Sequence, residues 1–229
     1  MNLYKIRGGN KIDLDSKKYT INVGISLGNK WFTAQNTTDL IQWALEHTKD
    51  VVILNVVDLI HSINLEVSEK LSKADALDKA IKLGKEFLSE IQNLVQTKFS
   101  AQDKKRIIFT TWNDVVTPEY KRKVDALYTF YDSNEVFKNT IHDMVRKYIS
   151  RKNIIYSESD IHKLGNYIIE ELPEITCCVP IAGVVCDAYV YPFDGEVTRM
   201  VEQIQKGEIF SEILNILMDI KPKVFLEVR

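Results

Sequence analysis

Ser26 closes an apolar run, 20-TINVGIS-26, and stands between Gly24 and Gly28, with Asn29 three residues on and Trp31 and Phe32 beyond. A serine at the carboxyl end of a strand can be a nucleophile, line a phosphate-binding loop, or simply turn the chain. The stretch 24-GISLG-28 spells G-x-S-x-G, the nucleophile elbow of α/β-hydrolases, but only about twenty residues precede it. That leaves no room for the strands and oxyanion loop the elbow requires. A histidine base would have to come from His47, His61, His142 or His162. All four lie in segments with more charged than apolar neighbours, so solvent exposure is the expectation for each. Nucleotide binding fares no better: there is no third glycine for G-x-G-x-x-G, and 24-GISLGNK-30 has the wrong spacing for a Walker loop. What remains is a nucleophile working on an ester that is already activated, which needs less help from a strong base. Such an enzyme must hold its substrate with polar groups elsewhere. Tyr167 and Glu171, in 166-NYIIEELP-173, are four apart and share one helical face, and Pro173 is expected to end that helix. A carboxylate there can bind a substrate ammonium; without a partner, the same pair is ordinary surface.

These residues need a frame. Strand-like runs rich in Val, Ile and aromatic residues occur at 20–26, 51–60, 106–112, 181–191 and 223–229. Helix-period segments lie between them at 38–48, 67–99, 118–134, 135–152 and 158–172. The alternation predicts an α/β fold with a mainly parallel sheet, in one domain spanning residues 1–229. Ligands of such sheets bind beyond the carboxyl ends of the strands, where Ser26 is placed.

The 229 residues are 45% hydrophobic and 27% charged, ordinary for a globular protein, and no run approaches a membrane span. The first eighteen residues carry charge throughout and lack a secretory core, which predicts a cytoplasmic protein with no membrane partner. A net charge of −2 argues against a nonspecific DNA coat. Cys177, Cys178 and Cys186 have neither metal nor disulfide spacing and read as small apolar residues in a reducing compartment. No cofactor or metal is expected, and a monomer is.

Together the motifs resemble the cyclodipeptide synthases, which use two aminoacyl-tRNAs to make a cyclic dipeptide. The family's glycine, serine and asparagine signature is matched by Gly24, Ser26 and Asn29, and its Y-x-x-x-E-[LAI]-P by Tyr167, Glu171, Leu172 and Pro173. Residues 33–45, 117–120 and 142–149 resemble its intervening helices, so the likeness runs from about 20 to 192 in the family's order. The resemblance implies a Rossmann-like domain similar to the catalytic domain of class I tyrosyl- and tryptophanyl-tRNA synthetases. The synthetase signatures H-I-G-H and K-M-S-K-S do not occur, in keeping with a substrate that arrives activated and needs no ATP. It further implies Ser26 as the nucleophile, carrying an aminoacyl-enzyme and then a dipeptidyl-enzyme, with Tyr167 and Glu171 gripping the ammonium and Asn29 supporting the loop or polarising the substrate. The late-strand catalytic tyrosine is Tyr191 or Tyr189, two apart and so on one strand face. Pro192 favours Tyr191 and the subfamily with Tyr-Pro at this point.

Phosphate binding by the tRNA is assigned by the same likeness to the basic helix, with Lys79, Lys82 and Lys85 at three-residue spacing, or alternatively to 121–123 or 146–152. Asp75, Asp78 and Glu86 on that helix equally suit a solvated surface. The aliphatic character of 51–57 and 181–191 suggests pocket walls for at least one apolar substrate side chain. A serine esterase or acyltransferase, and a noncatalytic tRNA-binding domain, are the rival readings.

Overall fold

A computed structural model of the chain describes residues 1–150, 156–193, 195–217 and 221–229. Its elements run β1 (Leu3–Arg7), α1 (Lys11–Asp15), β2 (Ile21–Ser26), α2 (Ala34–His47), β3 (Val52–Val57), α3 (His61–Ser68), α4 (Lys73–Lys98), α5 (Ala101–Lys104) and β4 (Ile107–Thr111). There follow α6 (Pro118–Ser133), α7 (Glu135–Ile149), α8 (Glu158–Thr176), β5 (Pro180–Ile181), β6 (Val184–Val185), β7 (Ala188–Tyr191), α9 (Glu196–Gln205), α10 (Ser211–Leu217) and β8 (Val224–Val228). Six strands form one sheet in the order β1-β8-β7-β2-β3-β4, with every pair parallel except β1 with β8. This is the expected mainly parallel, Rossmann-like sheet flanked by helices.

From β2 the chain adds β3 and β4 on one side, then returns to place β7 and β8 on the other. The order therefore reverses between β2 and β7, and a crevice opens at their carboxyl ends. Ser26 ends one of these strands and Tyr191 the other.

Parity decides what each face carries, since successive side chains of a strand point to opposite sides. Ile21, Val23 and Ile25 of β2, with Val52, Leu54 and Val56 of β3, pack toward Leu40, Ile41 and Ala44 of α2 and Ile91 and Val95 of α4. The opposite face, with Ile53, Val57, Tyr189 and Phe225, packs against α6, α7, α8, α9 and α10. Asn22, Gly24 and Ser26 share the parity of that second face.

Two elements are added at the N-terminus, and three local expectations are corrected. The charged N-terminal stretch contributes an edge strand and a helix, β1 pairing antiparallel with β8. Residues 67–99 are not one helix: α3 ends at Ser68, Lys70 takes φ +56, and Ser72 caps α4 by accepting from the Asp75 N–H. Residues 181–191 are not one strand: Ala182 (φ +49) and Gly183 (φ +80) turn a short β5–β6 hairpin before β7 begins. Pro173 sits inside α8, which runs on to Thr176. Proline removes one helical donor; at this turn the Glu170 carbonyl accepts from the Tyr120 hydroxyl at 2.7 Å, tying α8 to α6.

The histidines are not solvent-exposed. His61 and His142 are buried, and His47 and His162 are partly buried. His47 stacks on Trp43, while His142 and His162 both face the Tyr131 hydroxyl, at 2.8 and 3.4 Å. The three cysteines are free and buried, and burial pushes the Cys177 and Cys186 thiols to about 12 and that of Cys178 to about 11. Among the described residues no helix is long and apolar enough to cross a membrane.

Candidate active site

The loop after β2 is tight. Gly28 has φ +83, a left-handed conformation that glycine adopts without strain, and the Asn29 N–H returns to the Ser26 carbonyl at 3.2 Å. Asn29 is held at both ends of its side chain: Oδ1 accepts from the Trp31 N–H at 3.1 Å, and Nδ2 donates to the Tyr191 hydroxyl at 3.2 Å. Two residues before the serine, Gly24 makes room for Tyr189. A Cβ there would lie 2.2 Å from the Tyr189 hydroxyl oxygen, so any larger residue must displace that ring. Tyr189 and Tyr191 stack on one face of β7, centroids 5.9 Å apart and planes 20° from parallel.

Across the crevice, α8 presents Tyr167, Glu171 and Glu174, spaced four and three along one helical face. Ser26 interacts with the phenols of both Tyr167 and Tyr191. Burial drives both phenols above their ordinary pKa against that pull, so each keeps its proton at neutral pH. The Glu171 carboxyl is raised to about 8, first by burial and then by the charge of Glu174.

Glu174 is fully buried, and its Oε1 accepts from Lys223 Nζ at 2.6 Å and Asn22 Nδ2 at 2.8 Å. These three residues form a charged floor beneath the serine. Around the mouth, Phe32 and Phe193 pack on Tyr191 at 5.4 and 6.2 Å, Trp31 meets Phe193 edge-on at 6.0 Å, and Phe193 and Tyr148 are 45% and 46% exposed. His61 lies behind the loop; a Cβ on Gly28 would come within 3.1 Å of its ring.

The structure thus brings together Gly24, Ser26, Asn29, Tyr167, Glu171, Tyr189 and Tyr191. It does not join the lysines to them. Lys79, Lys82 and Lys85 are exposed along α4, where Lys79 pairs with Glu69 and Lys82 lies 3.9 Å from Glu86. In the alternative 121–123 patch, Lys123 is buried; the alternative at 146–152 runs past the described residues at 151. The aliphatic residues of 51–57 and 181–191 divide between the two faces of the sheet, with Ile53 and Val57 on the side of Ser26. Val52, Leu54, Val56, Ala188 and Val190 face the α2 layer, and the same strands turn Asn55, Tyr189 and Tyr191 toward the site. Sequence reasoning missed Asn22, Asn55, Glu174 and Lys223. Asn22 and Glu174 carried a usable signal, since strand parity aligns the first with Ser26 and helical spacing aligns the second with Glu171.

The family model described as cyclodipeptide synthase matches residues 15–209. A cyclo(L-leucyl-L-leucyl) synthase of Corynebacterium jeikeium is 22% identical over 196 residues, covering 82% of this chain and 87% of its own. A Mycobacterium tuberculosis protein, whose structure relates cyclodipeptide synthetases to type I tRNA synthetases, superposes with a TM-score of 0.65 at 21% identity, over 87% of this chain and 83% of its own. A cyclodipeptide synthase of Candidatus Glomeribacter gigasporarum bound to Phe-tRNAPhe superposes with a TM-score of 0.56 at 16% identity, over 92% of this chain and 88% of its own. With the family model spanning most of its length, from before β2 to beyond β7, the chain belongs to the cyclodipeptide synthase family, whose members are aminoacyl-tRNA-dependent transferases that form peptide bonds.

Proposed function

We propose that this enzyme joins two aminoacyl groups into a cyclic dipeptide by ping-pong catalysis on Ser26. The Ser26 hydroxyl attacks the ester carbonyl of the first aminoacyl-tRNA; the bond to the ribose oxygen breaks, and that oxygen leaves with a proton as free tRNA. The amine of the serine-bound aminoacyl group then attacks the ester carbonyl of the second aminoacyl-tRNA, releasing a second tRNA and leaving a dipeptide on Ser26. Attack in the other sense, by the second substrate's amine on the serine ester, would leave the dipeptide on tRNA. Finally the terminal amine of the dipeptide attacks the serine ester, the ring closes, and Ser26 recovers its proton. Tethering the amine beside its target gives ring closure a high effective molarity, so it outruns hydrolysis.

The observation that carries this reading is the position of Ser26 between two protonated phenols and a carboxyl with a pKa of about 8. An α-amino group titrates near 7.7–8.0. Glu171 is therefore matched to the ammonium it holds and can take its proton at little cost, freeing the amine for attack. Tyr167 positions the same ammonium. The Tyr191 hydroxyl accepts from Asn29, which leaves its own proton free to pass between Ser26 and the departing ribose oxygen. Pro192 after Tyr191 supports the Tyr-Pro subfamily. The pairing of β1 with β8, from the two ends of the chain, supports a single domain over residues 1–229.

The test is expression in a bacterium with mass spectrometry of the medium for diketopiperazines, alongside Ser26→Ala. Product from the wild type and none from the variant, with unchanged circular dichroism, is the expected result. Near-normal product from Ser26→Ala sinks the covalent mechanism. Turnover of simple esters without tRNA would point to an esterase, and tRNA binding without an adduct to a binding module.

A further inference from the structure

The face of the sheet beneath Ser26 carries two buried asparagines among the apolar residues Ile53 and Val57. Asn22 and Asn55 are buried, at 0% and 1% exposure, and lie on the layer facing α8. Each has one amide atom spoken for. Asn22 Nδ2 donates to Glu174, and Asn55 Oδ1 accepts from Thr110 Oγ1 at 3.3 Å. The other atom of each, Asn22 Oδ1 and Asn55 Nδ2, is buried without a hydrogen-bond partner among the described residues. Buried polar groups are nearly always paired, and an orphan acceptor and an orphan donor on one surface call for a ligand that pairs both.

The register puts them within reach of the loaded serine. Gly24 pairs with Asn55 across the β2–β3 ladder, so Asn55 lies one strand over and two residues below Ser26, and Asn22 lies two residues deeper on β2. With ladder spacings of about 4.8 Å and rises of about 3.3 Å per residue, Asn55 is about 8 Å from Ser26 and from Asn22 alike. An aminoacyl group fixed at its carbonyl by Ser26 and at its amine by Glu171 has its side chain left to place. Tyr189 fills the space over Gly24, and Asn55 lies beside Gly24 on the neighbouring strand, on the same face of the sheet.

We infer that the amino acid loaded on Ser26 carries a neutral hydrogen-bonding side chain, a carboxamide or a hydroxyl, selected by Asn55 and Asn22. The inference rests on the synthase reading above. A carboxamide offers both the donor that Asn22 Oδ1 lacks and the acceptor that Asn55 Nδ2 lacks; a hydroxyl does so with one oxygen. A charged side chain finds no counterion here, because Glu174 is already neutralised by Lys223 and Glu171 serves the amine. A hydrocarbon leaves both amides unpaired, and sites built to bond a polar substrate group reject its apolar analogue strongly.

The experiment is to mix purified wild-type protein with individually charged aminoacyl-tRNAs, read the mass added to the intact protein in a single turnover, and identify the cyclic products. Adducts of Gln, Asn, Ser or Thr should form at least about tenfold faster than those of Leu, Val, Ile or Phe, as expected when a hydrocarbon strands a buried amide. Asn55→Leu should shift that ratio toward the hydrocarbons by a similar factor. The wild-type adduct decides the matter even where the variant folds poorly. Adducts and products confined to hydrocarbon or charged amino acids overturn this inference while leaving the synthase reading standing. Absence of adduct and product from every aminoacyl-tRNA overturns both.

Discussion

Replacing Glu171 with Gln should make the enzyme slower and the fold more stable. The shape is retained and one titration is removed. In the folded protein the carboxyl holds its proton up to about pH 8, whereas an unfolded chain releases it above about 4.5. Between those values the unfolded state binds fewer protons, so stability falls as pH rises through the window and is flat above it. At 1.36 kcal/mol per pKa unit, the penalty reaches ~3 kcal/mol at pH 7 and ~5 above pH 9 as upper limits. Partial solvent access at the mouth screens some of this, and a gain of ~1–3 kcal/mol for Glu171→Gln at pH 8 is the working expectation. At pH 4 the two proteins should be equally stable. Activity moves the other way: loss of a charge-assisted contact worth ~1.5–3 kcal/mol lowers cyclisation at least about tenfold. Urea titrations at pH 4, 6 and 8, with product formation followed by mass spectrometry, measure both. A stability difference independent of pH would refute the perturbed carboxyl, and near-normal activity would remove Glu171 from ammonium binding.

Gly24→Ala should abolish activity and destabilise the fold by ~1–3 kcal/mol, the usual cost of overpacking, because the new methyl meets the Tyr189 ring; an unaltered melting midpoint would show that the ring can move aside. For the tRNA face, Lys85→Ala should take about 0.7–0.9 off the slope of log affinity against log salt, and the triple variant with Lys79 and Lys82 two to three times as much. A slope unchanged in the triple variant would place the phosphates on another face.

What the sequence disclosed was local. Ser26 could be placed because a continuous apolar run announces a strand buried on both faces, and Tyr167 with Glu171 because helical spacing is a property of neighbours. The break before α4 is also legible, since Ser72 and Asp75 spell the cap that starts it. The charged floor was not legible. Asn22 meets Glu174 across 152 residues and Lys223 meets Glu174 across 49, and no pattern in the chain forecasts such pairings. The pocket expectation was incomplete for a related reason. The composition of 51–57 is aliphatic, but only the register of β3 against β2 reveals that Asn55 shares the serine's face with Ile53 and Val57, while Val52, Leu54 and Val56 face the other layer.

The same geometry explains why so much polarity is buried at this point of an otherwise apolar sheet. A serine ester of an amino acid is threatened by water, and a free amine is needed beside it at neutral pH. Excluding water requires burial, and burial is what keeps the phenols protonated and raises Glu171 to about 8, close enough to an amine to exchange a proton with the ammonium it binds. Full burial of Glu171 beside a second carboxylate would strand a repulsion in the core; Lys223, fully buried itself, keeps Glu174 paired and limits it. Glu174 is thus close enough to raise the pKa of Glu171 toward that of an amine, yet remains paired itself. Exchanging the Lys223–Glu174 pair for hydrocarbon could leave the fold equally stable, since buried pairs seldom stabilise more than well-packed apolar residues. What the exchange would remove is the Glu174 charge that helps match Glu171 to the amine it serves.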